Sequence, residues 1–356
     1  MNSKRPRFTG RQNYVHCISR TIDCQFLLGE VEREAFVRLM RKVEVFTGVR
    51  VITYAVLSNH FHILLAENEP ETLSDAALLD RLGAYYGRDS KTFRKHEAFL
   101  NQLQEDGLDG AIAEFHERFQ KRMNNFSEFM KTLKQCFTQW YNKRNDRVGT
   151  VWSARFKSIL VEPGSDALSH MAAYIDLNPV RANMVDDPMD YRWSGYGEAM
   201  AGQDPACRGL ERLYTSDGTL ALGFGMDGRA DWDEVCKRYR MLIYERGVER
   251  SDRCGNTTRA GFSAQEIRDV LDCGGTMAWH ALVKCRVRYF TEGVIFGSAE
   301  YVQSHEKQLR NWFGLKNPRL AEHLREWPES PFHVFRRFWV RQVVLPLVVQ
   351  PDEEKP

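Results

Sequence analysis
The chain has 356 residues, 43% hydrophobic and 28% charged, with a formal net charge of +2. That is enough for about two globular domains, and no run of 18 apolar residues exists to cross a membrane. Its eight cysteines include no C-x-x-C pair, which excludes a zinc ribbon or a thioredoxin-type site; with a polar, basic opening stretch, MNSKRPRFTGRQ, that lacks the apolar segment of a signal peptide, they read as reduced thiols of a cytoplasmic protein.

In chain order, residues 14–21 (YVHCISRT) alternate and are rich in β-formers, which predicts a strand. Residues 30–47 carry Val31, Ala35, Phe36, Leu39, Met40 and Val43 at helical spacing, with Gly48 as the terminator. Residues 49–57 and 60–66 predict a hairpin turning near Ser58-Asn59. Strand, helix, strand, strand is the first half of a ferredoxin-like α/β sandwich, an α+β fold with an antiparallel sheet covered by helices on one face.

Residues 67–114 break the pattern with eleven acidic residues against five basic ones, net −6, and read as an acidic helical insertion. The sign then reverses: residues 115–160 carry ten basic residues against three acidic, net +7. The first 20 residues add Lys4, Arg5, Arg7, Arg11 and Arg20 with no acid. Within the basic stretch, 126–142 predicts an amphipathic helix, and VWSARFKSILVE a strand with Arg155 and Lys157 on one face. SDALSHMAAYIDL follows as a helix, with Ser165 or Asp166 as N-cap. Gly, Asp and Pro cluster over 200–230, which suggests a boundary there: 1–204 as one domain and 205–356 as a second, mainly helical region. In that region 263–286 offers a generic helix-turn-helix pattern for DNA or a partner, and the tail PLVVQPDEEKP predicts disorder.

His60 and His62 stand out. Positions i and i+2 of a strand point to one face, about 7 Å apart at a rise of roughly 3.3 Å per residue, a separation that suits two neutral imidazoles on one divalent cation. Phe61, Ile63 and Leu65 supply the core face, leaving the histidines opposite. The plain alternative is a pair of half-buried strand histidines. Later, Tyr174 lies in the helical run HMAAYIDLNPVRANMV, with His170 four residues before it and Asn178 four after. Asn178 could add an amide oxygen to a cation; because Pro179 follows, it could instead cap a second short helix beginning there. Arg181 reads as a phosphate ligand or a solvated helix charge. Lys143, Arg144, Arg155 and Lys157, interleaved with Phe137, Trp140, Tyr141, Trp152 and Phe156, suit a nucleic acid: cations meet phosphates and aromatics stack on unpaired bases. Core packing is the alternative for those aromatics, and the stronger one for Phe137 and Trp140.

The runs YAVLSNHFHILL, SEFMKTLKQCFTQWYNKRNDRVGTVWSARFKSILVE, YIDLNPVRANMV and YRWSGY, in that order, resemble the HUH single-tyrosine transposases, in particular the REP-associated tyrosine transposases. They cover most of residues 10–200 apart from the acidic insertion. The resemblance implies His60 and His62 as metal ligands for Mg²⁺ or Mn²⁺ and Tyr174 as nucleophile. It also implies Asn178 as a further ligand, where many members of the wider group carry Gln. Arg20, Lys143, Arg144, Arg155, Lys157 and Arg181 become the DNA-binding set. The implied activity is cleavage and rejoining of single-stranded DNA, often beside a hairpin, through a 5′-phosphotyrosine, by a monomer or a homodimer. Two other readings stand beside it: a non-catalytic DNA- or RNA-binding protein of the same fold, and a metal-dependent hydrolase using water, for which Glu67 is the one nearby carboxylate.

Overall fold
The computed structural model describes residues 12–69, 71–164, 166–215, 231–244, 249–251, 257–260, 291, 293–313, 332–336 and 339–342. The predicted helix-turn-helix, the tail, and Lys4, Arg5, Arg7, Arg11 and Ser165 lie outside them. The architecture is α+β. The described residues within Phe8–Val51 and Val56–Phe156 form one compact unit, and those within Ile52–Ala55 and Lys157–Pro356 another.

The chain opens with β1 (Asn13–Arg20), α1 (Glu30–Thr47), β2 (Arg50–Val56) and β3 (His60–Glu67), all of the first unit except Ile52–Ala55 of β2, which count with the second. Gly48 ends α1 in the left-handed conformation, φ 73°, which a side chain would strain. The hairpin between β2 and β3 closes with Leu57 N donating to His60 O at 2.8 Å, and the strand order is β2-β3-β1. β1 and β3 run antiparallel with Arg20 opposite His60, Ile18 opposite His62 and Cys17 opposite Ile63. Alternation therefore sorts the side chains. Phe61 turns to the helical layer, where its ring meets Phe36 of α1 at 4.6 Å. Phe36 in turn meets Phe137 of the long helix described next, at 5.4 Å.

The acidic stretch forms three helices, α2 (Asp75–Tyr86), α3 (Lys91–Glu105) and α4 (Asp109–Gln120), before α5 (Phe126–Arg144). Ser74 and Ser90 cap α2 and α3 by accepting from Ala77 N and Phe93 N. Leu78, Leu82, Phe93, Leu100, Leu103, Phe115 and Phe119 build a small core of their own, joined to α1 through Phe46. Glu67 ties the end of β3 to the start of α5: it accepts from Asn13 Nδ2 at 3.1 Å and from Phe126 N at 3.0 Å.

In the second unit β4 (Lys157–Val161) leads to α6 (Asp166–Asp176), α7 (Asn178–Arg181), α8 (Gly195–Met200), α9 (Asp204–Thr215) and α10 (Trp232–Tyr244). Short strands follow: β5 (Glu249–Ser251) pairs with β6 (Thr257–Ala260), while β7 (Ile295–Ser298), β8 (Phe332–Arg336) and β9 (Trp339–Gln342) continue from β4 in the order β4-β7-β8-β9. Helix α11 (Ala299–Phe313) lies between β7 and β8 in sequence.

The strand expected over 151–162 is shorter than its alternation suggested, and Arg155 precedes it. Trp152 is drawn under α5, donating Nε1 to Lys134 O at 3.2 Å, and Ser153 N donates to Arg20 O at 3.0 Å. These anchors bend the backbone before Lys157, so Arg155 and Lys157 do not share a strand face.

Candidate functional site
The even positions of β3 carry His60 and His62 on the face away from α1 and α5. Their rings lie 5.2 Å apart between centroids. Each has its Nδ1 engaged. His60 Nδ1 is 2.7 Å from Asn59 Oδ1 in the turn before the strand. His62 Nδ1 is 2.9 Å from His16 Nε2 on β1, and the His16 and His62 rings stack at 5.1 Å. A cation at this pair would thus be met by Nε2 of each imidazole. Orienting contacts at the second ring nitrogen are what metal-binding histidines ordinarily have. Among the described residues no three or more His, Cys, Asp or Glu side chains converge as a metal cage. His16, whose Nε2 faces His62, is a support rather than a third ligand. The donor set of two neutral imidazoles suits a divalent ion whose remaining positions are open to water or phosphate oxygens.

Sequence reasoning missed His16. The signal was available: it sits in YVHCISR at the parity of Arg20, on a strand whose alternation matches that of β3. Glu67, by contrast, is not a site residue. Its odd position puts it on the other face from His60, and both its carboxylate oxygens are taken by Asn13 and the start of α5. The water-using hydrolase loses its one nearby carboxylate.

Tyr174 lies on α6 in the second unit and is only 5% exposed. The Arg181 guanidinium covers its ring at 4.7 Å and donates Nη1 to its carbonyl at 2.7 Å. Arg181 is therefore held against the tyrosine rather than extended into solvent. Asn178 is buried and donates Nδ2 to Tyr174 O at 2.9 Å and to Ile175 O at 3.3 Å. The chain does break at this point, into α6 and the short α7, but Asn178 caps backwards onto the carbonyls of α6; no side chain caps the start of α7. With Nδ2 committed, the amide oxygen is the atom Asn178 has for a cation. His170 is half-buried on the same helix.

Asp176, two residues beyond the tyrosine, fastens this helix. It is fully buried and accepts from Thr53 Oγ1 at 2.8 and 2.9 Å, from Tyr196 N at 3.1 Å and from Tyr239 Oη at 2.5 Å. Burial pushes its carboxyl up to about 7, against the downward pull of those donors. The same burial, with the Asp176 charge beside it, drives the Tyr239 phenol well above its ordinary range. The YRWSGY motif explains itself here. Ser194 bridges to Ala55 of β2, and Gly195 lies so close that a Cβ would stand 2.2 Å from Thr53 Oγ1. Tyr196 then presents its N–H to Asp176.

Of the basic residues, Arg20, Lys143, Arg144, Arg155 and Lys157 are exposed. Arg144 also lies 3.8 Å from Glu32. Of the interleaved aromatics, Phe137, Tyr141, Trp152 and Phe156 are buried and offer no stacking surface, while Trp140 is half-buried with the Arg144 guanidinium 5.9 Å from its ring. Their spacing is that of an amphipathic helix packing on a sheet, and burial of large rings outweighs display.

No family model matches the chain, and no curated protein matches it. Among solved structures, a REP-associated tyrosine transposase bound to a REP hairpin is similar at a TM-score of 0.37 and 15% identity, over 58% of this chain and 90% of that one. At that distance the functional reading rests on the residues themselves. Among the described residues no helix is long and apolar enough to cross a membrane.

Proposed function
We propose that the chain cleaves and rejoins single-stranded DNA, flanked by a hairpin, through a covalent bond to Tyr174. The observation that carries this reading is the pair His60 and His62, side by side on one face of β3 with both Nδ1 atoms engaged by Asn59 and His16. Binding alone needs no such arrangement. The motif order in the sequence supplies Tyr174 as its partner. His60, His62 and the amide oxygen of Asn178 would hold Mg²⁺ or Mn²⁺, which supplies Lewis-acid polarisation of the scissile phosphate.

The chain's own groups do the rest. The phenolic oxygen of Tyr174 attacks phosphorus, the bond to the 3′-oxygen breaks, and that oxygen takes up a proton to leave as a 3′-hydroxyl. The phenol, with an ordinary pKa of about 10, gives up its own proton in the same step, so protons balance. Attack by a 3′-hydroxyl on the 5′-phosphotyrosine reverses the chemistry and rejoins DNA without an external energy source. Arg20, Lys143, Arg144, Arg155 and Lys157 neutralise phosphates along the strand.

One observation favours a second reading, a non-catalytic DNA- or RNA-binding protein: Tyr174 is 5% exposed beneath Arg181. A single experiment separates the two. Incubation with labelled hairpin oligonucleotides and Mn²⁺ yields a protein–DNA adduct on a denaturing gel that Tyr174→Phe abolishes. Binding without an adduct in the wild-type protein would overturn strand cleavage and leave the second reading.

A further inference from the structure
The segment joining β1 to α1 is built as a rigid arm on the histidine turn. Thr21 N and Thr21 Oγ1 reach Asn59 O at 2.9 and 3.0 Å, and Leu28 N donates to Ser58 O at 2.9 Å. Asn59 Nδ2 donates to Cys24 O at 3.1 Å while its Oδ1 faces His60 Nδ1 at 2.7 Å, so one side chain joins the arm to the imidazole. On the other flank Ile22 N donates to Val151 O at 2.9 Å. Asp23 and Cys24 both hold left-handed backbone, φ 51° and 54°, which non-glycine residues rarely adopt. Strain of this kind persists where the surroundings over-determine it, and it collects at ligand clamps.

At the tip of this arm Phe26 is 80% exposed. A slack loop would fold such a ring inward; here the tethers at Thr21, Cys24 and Leu28 hold it out. Charge indicates what it meets. Arg20, which enters the arm, stands opposite His60 in the β1–β3 register. The chain that the arm bonds to at Val151 carries exposed Lys143, Arg144 and Arg155. Phe99, a second exposed phenylalanine, sits instead on the acidic helices. A flat apolar ring on an arm that Arg20 enters, and that bonds to a segment carrying exposed cations, suits an unpaired nucleobase: the ring takes the base face and the cations take the phosphates. Asp23 is the one acid of the arm and would oppose a phosphate placed directly over it, which fits base stacking at Phe26 better than backbone contact there.

We propose that Phe26 is a stacking platform for an unpaired base flanking the scissile phosphate, held in register with His60 through Asn59. The assignment rests on the single-stranded DNA reading above. Its test uses the full chain and a hairpin oligonucleotide with mixed-sequence single-stranded flanks, carrying 2-aminopurine in one flank or the other. Wild-type protein is expected to quench the 2-aminopurine in one flank. Phe26→Ala should lose that quenching and weaken binding on the order of tenfold, while Phe26→Trp restores both and blunt duplex binds all three proteins alike. Equal binding and quenching by wild type and Phe26→Ala would overturn the stacking role while leaving strand cleavage standing. Absence of binding to the oligonucleotide by wild type would overturn both. Binding without an adduct, but with Phe26-dependent quenching, would keep the platform and remove the chemistry. Since Phe26 is exposed, matching thermal midpoints for the variants confirm that the comparison is made on folded protein.

Discussion
His62 Nδ1 lies 2.9 Å from Nε2 of His16, 46 positions earlier in the chain. The contact joins two strands through their side chains on the face that bears His60. It also fixes which nitrogen His62 presents outward. Replacing His16 should therefore cost the metal more than it costs the fold. His16→Ala is expected to lower Mn²⁺ affinity by at least about tenfold, as loss of an orienting partner ordinarily does. His16→Gln, which keeps a polar group beside Nδ1, should lose less. Titration calorimetry with Mn²⁺ reads both. Unchanged affinity in His16→Ala would reduce the contact to packing.

Asn59 does two jobs that substitution can part. Its Oδ1 faces His60 and its Nδ2 holds Cys24 O. Asn59→Asp keeps an acceptor for His60 and removes the donor to the arm, whereas Asn59→Ala removes both. Each hydrogen bond is worth about 1 kcal/mol. Metal affinity is expected to fall in Asn59→Ala and to hold in Asn59→Asp, while proteolysis between residues 21 and 28 quickens in both. Equal metal affinity in all three proteins would sever the turn from the site.

Gly195 is set by close approach. A Cβ there would meet Thr53 Oγ1 at 2.2 Å and Thr53 Cα at 2.8 Å, and the second neighbour is backbone, which cannot swing aside. Gly195→Ala should destabilise by about 1–3 kcal/mol, the usual range for overpacking. Thr53→Ala should not rescue it, because the Cα remains. A thermal midpoint within error of wild type would show that α8 can shift off β2.

What the sequence disclosed and what it hid divide along a physical line. Periodicity reports which face of an element is buried, so α1 with its Gly48 stop, the β2–β3 hairpin and α5 were all legible. The same signal cannot say what lies against that face. Trp152, Tyr141 and Phe156 therefore read equally as stacking aromatics and as core, and they are core. The bend before Lys157 was hidden for a related reason. It is imposed by Trp152 and Ser153 reaching α5 and β1, contacts that alternation over a dozen residues does not encode. His60 and His62 were visible because their relation is local. His16 and Asp176 were not, because their roles depend on partners 46 and 123 positions away. Phe26 escaped notice since no periodicity marks a tethered loop.

Asp176 makes stability depend on pH in a direction opposite to that of most carboxylates. Its pKa rises from the ordinary 3.8 to about 7 in the folded chain. Three donors, Tyr239 Oη, Thr53 Oγ1 and Tyr196 N, favour the charged form, yet complete burial outweighs them. Between about pH 4 and 7 the folded chain keeps a proton that the unfolded chain has released. Stability from this group is thus full below about pH 4 and falls as pH rises through 7, by about 1.4 kcal/mol per unit and roughly 4 kcal/mol across the window. Asp176→Asn imitates the protonated acid, and the Tyr239 and Thr53 hydroxyls can turn to suit an amide. The variant is expected to match wild type near pH 4 and to exceed it by a few kcal/mol near pH 8. Urea unfolding at the two pH values measures the difference. If Asp176→Asn is the weaker protein at pH 8, the donors outweigh burial, and the carboxylate stands charged at the root of the Tyr174 helix.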